Sequence, residues 1–150
     1  MIDKISKFLI CILLFITFSF INTEKKLSNN IKTSNKDIYI FYRLSLEYKW
    51  LTQELYYTIT KYSKKYNVDK VLICALIQHE SNGRNVRSRR NRNGSRDYGL
   101  MQINQIHSPK NIYALNNKDT NIRIGVWYLS KCLRKSRGNI KRACIFYNAG

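Results

Sequence analysis

Apolar and polar positions fall into blocks along the chain, each with its own period. Phe8 to Ile21 is a nearly unbroken apolar run of 14 residues behind Lys4 and Lys7. As a helix it reaches only ~21 Å, short of the ~30 Å hydrocarbon core of a bilayer. Residues 22–37 (NTEKKLSNNIKTSNKD) are polar and aperiodic. From Ile38 an apolar stripe runs through Phe41, Leu44, Tyr48, Leu51, Leu55, Ile59, Tyr62 and Tyr66. Its steps of three and four predict two helices, the second capped by Thr52. Asn67-Val68-Asp69 turns the chain, and Asp69 is placed to cap a helix from Lys70 to about Glu80. The run VLICALI within it is apolar on every side, so burial all round is expected. Residues 82–98 lack a helical period and contain Asn-Gly-Ser, which predicts a loop or a small hairpin. A further helix reads from about Asn121 to Lys135 on Ile122, Val126, Leu129 and Leu133. Ser136 to Asn139 turns, and a last helix covers Ile140 to Tyr147. The fold class is mainly α, an α+β domain with a small irregular or β insert around a cleft.

Length and charge narrow the reading. The 150 residues suit one compact domain, and 44% apolar content excludes a wholly disordered chain. The organisation read here is a signal peptide at 1–21, a polar linker at 22–37 and one domain at 38–150. The basic flank and short apolar run fit a leader better than a membrane span, with Thr17-Phe18-Ser19 as a small-x-small cleavage site. An uncleaved anchor is the alternative. No second long apolar run exists, so no stable span remains after the leader. The expected location is the periplasm or cell envelope. Cys11 lacks the small residues of a lipoprotein site.

The net charge of +18 points to an anionic partner. Six arginines between residues 82 and 96 (Arg84, Arg87, Arg89, Arg90, Arg92, Arg96) stand without an acid. They could hold an anionic glycan with its peptides, dock an acidic partner, or form a solvated mobile loop. Without interleaved aromatics they do not read as a nucleic-acid site. Beyond the leader, Cys74, Cys132 and Cys144 are an odd set, leaving at least one thiol free or intermolecular in an oxidising compartment. A Cys132–Cys144 bridge or two packed thiols both fit the last hairpin. No metal or cofactor is expected: there is no CxxC, and Gly83 stands where HExxH needs its second histidine.

Glu80 closes the most apolar helix of the chain. Desolvation by a core and the negative end of a helix both raise a carboxyl pKa. A carboxylic acid that keeps its proton near neutral pH is what protonating a glycosidic oxygen requires. An ordinary solvated glutamate at a helix end is the plain alternative.

ALIQHES (75–81), GLMQIN (99–104) and YNAG (147–150) occur in this order. Together they resemble the lytic transglycosylases of the goose-lysozyme-like SLT group. The small, secreted, specialised branch that opens the wall for secretion machines and pili is similar in NGSRDYGLMQIN running into IHSP (93–109) and in NIRIGVWYLSKC (121–132). The resemblance covers about residues 53–150 and implies a lysozyme-like domain acting on peptidoglycan glycan strands, with secretion or pilus components as partners. It implies Glu80 as catalytic acid and base, closing a 1,6-anhydro ring on N-acetylmuramic acid. It implies Ser81 as a hydrogen-bonding neighbour of the glutamate, Met101 and Gln102 as cleft residues, and Tyr147 and Asn148 as lining beside it. Met101 as core filler and Asn148 with Gly150 as a helix cap are the plainer readings.

Asp97 lies in a segment that also resembles c-type lysozymes, where it would be a second carboxylate. It could support hydrolysis, stabilise an oxocarbenium-like charge, or pair with Arg96 or another arginine. His79 and His107 read as structural. Two departures stand out: Gly83 takes the place of the group's usual aromatic, and longer members continue past YNAG through a segment that supplies a tyrosine. A chain ending there is expected to be a minimal form or a less active truncated one, with a last helix that frays and takes Tyr147 with it. The reading is thus a transglycosylase with Glu80 as its obligatory group. Its rivals are a hydrolase using Glu80 and Asp97, a catalytically silent wall-binding module, and a polyanion binder.

Overall fold

The computed structural model describes residues 35–107 and 111–149. The predicted leader and residues 22–34 of the predicted linker lie outside the described residues, as do Ser108 to Lys110 and Gly150. The chain divides into two units at Tyr42/Arg43. Residues 35–47 are helical (α1), so the end of the polar stretch is already helix. The second unit carries α2 (Gln53–Tyr66), α3 (Lys70–Ser81), β1 (Asp97–Tyr98), β2 (Ile103–Asn104), α4 (Lys118–Lys135) and α5 (Ile140–Ala149). Two short 3-10 turns, Gln105–His107 and Ile112–Asn116, lie between β2 and α4. No helix among the described residues is long and apolar enough to cross a membrane.

The helix starts follow from local chemistry. Thr52 Oγ1 accepts from the Leu55 amide, and Asp69 takes the amides of Val71 and Leu72, so α2 and α3 begin where the sequence predicts. α4 begins three residues earlier than predicted, because Asn117 caps it by accepting from Thr120 N–H. α5 runs on to Ala149, so Asn148 lies within the helix. α3 is not buried all round. Ile73, Cys74, Leu76 and Ile77 face the core, whereas Val71 is 50% exposed and Ala75 is also exposed. Apolar composition hid this outer face, because α3 packs on α2 and leaves its far side to solvent. Cys74, Cys132 and Cys144 are free thiols, so the last hairpin holds packed thiols without a bridge. Burial pushes the Cys74 thiol up to about 12, far from thiolate chemistry.

α4 is the hub, packing against α2, α5, the second 3-10 turn and β2. Beside it β1 and β2 form an antiparallel hairpin, Asp97 opposite Asn104 and Tyr98 opposite Ile103. The connecting loop is Gly99-Leu100-Met101-Gln102, and it is mostly buried: Leu100 and Met101 are almost fully enclosed. A buried loop must find partners for its backbone polar groups. Asn121, fully buried on α4, ties the loop to its neighbours. Its Oδ1 accepts from Met101 N–H (2.8 Å), and its Nδ2 donates to Tyr98 O (2.7 Å) and Leu115 O (3.0 Å). Ser81 Oγ donates to Leu100 O (2.7 Å), and Tyr147 OH donates to Met101 O (2.9 Å). Two glycines permit this closeness. A Cβ at Gly99 would stand 2.2 Å from Asn121 Nδ2, and one at Gly125 would stand 2.4 Å from Met101 Sδ.

Gly83 is explained by Trp50. A Cβ there would lie 1.9 Å from Trp50 Cγ, and the residue has φ +70°. An aromatic therefore does occupy this place, supplied by the segment between α1 and α2. Trp50 Nε1 donates to Gln78 Oε1 (2.7 Å), which pins the indole to α3.

Two stability changes follow from these contacts, both measurable by urea unfolding. Asn121→Ala removes three side-chain hydrogen bonds to buried backbone groups and should cost about 3 kcal/mol; a loss below about 1 kcal/mol would contradict the frame described. Gly83→Ala meets both the left-handed backbone and the indole, and should cost more than about 1 kcal/mol.

Candidate active site

The last turn of α3 delivers Glu80 to a cleft of about 420 Å³. Asp97 reaches the same cleft from β1, Gln102 from the hairpin loop, and Tyr147 and Asn148 from α5. Five of the seven residues singled out in the sequence thus converge from four elements. The other two do not line the cleft. Ser81 is buried and committed to Leu100 O, with Ile77 O at 3.2 Å as its second neighbour, so it fastens α3 to the hairpin loop. Met101 is fully buried, its sulfur against Gly125. It fills the core and offers the cleft nothing.

Glu80 is half-buried, and its Oε1 is enclosed without a hydrogen-bond donor among the described residues. Burial raises the Glu80 pKa, the charge of His79 opposes the rise, and the negative charge of Asp97 adds to it. His79 itself lies on the exposed side of α3. A carboxyl in this setting favours its protonated form relative to one in water.

Tyr147 stands close enough for the charge of Glu80 to act on it. Burial first, then Glu80, hold its hydroxyl well above the usual phenol range. At 7% exposure and with its hydroxyl on Met101 O, it is tied to the core, and its ring meets that of Tyr128 at a tilt, centroids 5.3 Å apart. The fraying expected of Tyr147 does not suit a side chain so enclosed.

Asp97 is paired with amides and with no arginine. Its Oδ1 accepts from Asn104 Nδ2 (2.7 Å) and its Oδ2 from Asn91 Nδ2 (3.2 Å). Arg96 instead donates to Ser88 O (2.9 Å). The carboxylate is therefore a fixed negative charge on the cleft wall. Gln102, at φ +44°, donates through Nε2 to Gly99 O (2.7 Å) and Val86 O (3.1 Å), bracing the loop from the cleft side.

The sequence reading missed several contributors. Asn104, Trp127 and Tyr128 line the cleft, with the His107 ring tilted against Tyr128 at 5.5 Å. Trp127 is 41% exposed, its ring carrying the Lys131 ammonium at 3.7 Å. Asn121 left one signal: a polar residue on the apolar side of a helix, one turn before a helical glycine. Among the described residues no three His, Cys, Asp or Glu side chains gather to hold a metal.

Comparison with known proteins places the chain among relatives. Over 50 residues the chain is 40% identical to Protein IpgF of Shigella sonnei and equally to Protein IpgF of Shigella flexneri. The match spans 33% of this chain and 33% of each relative, about a third of the length of either. The family model described as Transglycosylase SLT domain matches residues 57–150, from within α2 through α5 and across every cleft residue named above. The chain belongs to the Transglycosylase SLT domain family.

Proposed function

We propose that this chain is a peptidoglycan lytic transglycosylase that cleaves between N-acetylmuramic acid and N-acetylglucosamine, with Glu80 acting first as acid and then as base. The observation that carries the reading is the half-buried carboxyl of Glu80 in a sugar-sized cleft, its Oε1 enclosed and without a partner among the described residues. Protonated Glu80 gives its proton to the glycosidic oxygen, the bond to the muramoyl C1 breaks, and N-acetylglucosamine leaves as an alcohol. Positive charge spreads over C1 and the ring oxygen. Glu80, now a carboxylate, takes the proton of the muramoyl 6-hydroxyl while that oxygen bonds to C1. The product is a 1,6-anhydro ring, no water is consumed, and Glu80 regains its proton.

Asp97 serves this route as a fixed negative charge facing the developing cation. It also motivates a second reading, hydrolysis by a Glu80–Asp97 pair, because both carboxyls line one cleft and Glu80 feels the charge of Asp97. The two amides on Asp97 favour a stationary charge over an attacking group. The leader-like first 21 residues and the likeness to the specialised branch support export to the cell envelope. There the activity would open the wall locally for a secretion or pilus apparatus.

Replacing the acid tests the assignment. Glu80→Gln should lower turnover of purified peptidoglycan by about 10²–10⁴-fold while the protein still sediments with the wall; equal turnover by variant and wild type would sink it.

Asp97→Asn should move the pH profile in a defined direction. The charge of Asp97 raises the Glu80 pKa, so its removal lets Glu80 lose its proton at lower pH. The fall of activity with rising pH should then set in earlier than in wild type. A limb that stays put or moves up would contradict that coupling.

A further inference from the structure

The arginine segment is the one strong sequence feature that the cleft chemistry leaves unused. Its backbone is tied down at several points. Ser88 N–H donates to Asp97 O (2.8 Å) and Asn91 N–H to Ser95 O (2.8 Å), while Ser88 Oγ accepts from Asp97 N–H (2.8 Å). A bridge pairs Arg87 with Tyr98. The segment is therefore a hydrogen-bonded extension of the hairpin. Two of its residues, Asn91 and Asn93, line the cleft itself.

Between and beside them, Arg87, Arg89, Arg90 and Arg92 are exposed. Among the described residues none of these guanidiniums sits in an ion pair. The acid that could have neutralised them, Asp97, is held by asparagine amides instead. The segment thus presents four exposed, unneutralised, bidentate-capable cations on a hydrogen-bonded frame whose Asn91 and Asn93 line the cleft. A glycan strand is itself uncharged along its sugar rings. What flanks it in peptidoglycan are stem peptides, which leave the muramic acid beside the scissile bond and carry free carboxylates.

We propose that Arg87, Arg89, Arg90 and Arg92 bind stem-peptide carboxylates of the strand in the cleft, so that the enzyme prefers peptide-bearing glycan to denuded glycan. This rests on the peptidoglycan reading of the cleft and adds the substrate form to it. The recognition is electrostatic and rim-exposed, and it weakens with salt on the scale of the Debye length.

The test compares purified peptidoglycan with the same glycan stripped of stems by an amidase that hydrolyses the bond between muramic acid and peptide, and with that stripped glycan after the lactyl carboxylates the amidase frees have been capped as methyl amides. The capped form is the peptide-free comparison. Wild type should show a kcat/KM about tenfold higher on the peptide-bearing form at low salt. The ratio should fall toward one in the R87Q/R89Q/R90Q/R92Q variant, and in wild type at about 0.5 M NaCl. Equal kcat/KM on the two glycans, or a ratio unmoved by both salt and variant, would overturn the proposal. An arginine loop built for an acidic protein partner would give that equality.

Co-sedimentation of Glu80→Gln with the two glycans, each coupled to beads, reads the same preference without catalysis. Greater retention on the peptide-bearing form supports the proposal, and equal retention overturns it. Failure of wild type to cleave either glycan would defeat the transglycosylase reading, while the sedimentation result still decides the loop.

Discussion

A loop that passes through the interior must have its backbone polar groups satisfied by something other than water, and the hairpin loop Gly99–Gln102 lives under that constraint. Its partners are side chains from three helices: Ser81 of α3, Asn121 of α4 and Tyr147 of α5. The rest of the architecture follows from meeting it. Gly99 and Gly125 are small so that the loop and α4 can touch. Ser81 adjoins Glu80, so fastening Ser81 to Leu100 also fixes the acid against the hairpin that carries Asp97. Tyr147 adjoins Asn148, so the same frame draws α5 to the opposite cleft wall. Ser81 and Asn121, which do not line the cleft, thus help set the geometry of the residues that do.

Glu80 is the group that gains by this rigidity at a cost to stability. A carboxyl with one oxygen enclosed and unpartnered is disfavoured as an anion. Its folded-state pKa lies above the unfolded one, so the folded state holds the proton more tightly. The destabilisation is absent at acid pH and appears as pH rises from the ordinary carboxyl range through the raised value. Such a cost persists only where surrounding structure over-determines the position, and here the frame of hydrogen bonds does so. Asp97 raises the cost further by its charge, which is the arrangement an acid needs if it is to keep a proton until the glycosidic oxygen takes it.

The features legible in the sequence were those with local causes. Thr52 and Asp69 cap their helices through atoms two or three residues away, so their roles could be read from neighbours alone. Glu80 was legible because a charge ending an apolar helix is a contradiction visible within one segment. Where Ser81 and Met101 point was not legible, because a position in a motif says nothing of direction: one turns to a loop carbonyl, the other into the core. Trp50 was invisible for the opposite reason. It reaches Gly83 across 33 positions, and only three-dimensional packing shows that the missing aromatic has a substitute. The all-round burial expected of α3 failed on the same ground, because composition cannot say how many neighbours a helix has.

The central claim is that one half-buried carboxyl with a raised pKa closes a ring on the substrate without water. Mass spectrometry of fragments released from purified peptidoglycan in ¹⁸O-labelled water tests it most directly. The account predicts 1,6-anhydromuramic ends free of the label. Ends heavier by one labelled water would make Asp97 a working partner in hydrolysis and contradict it.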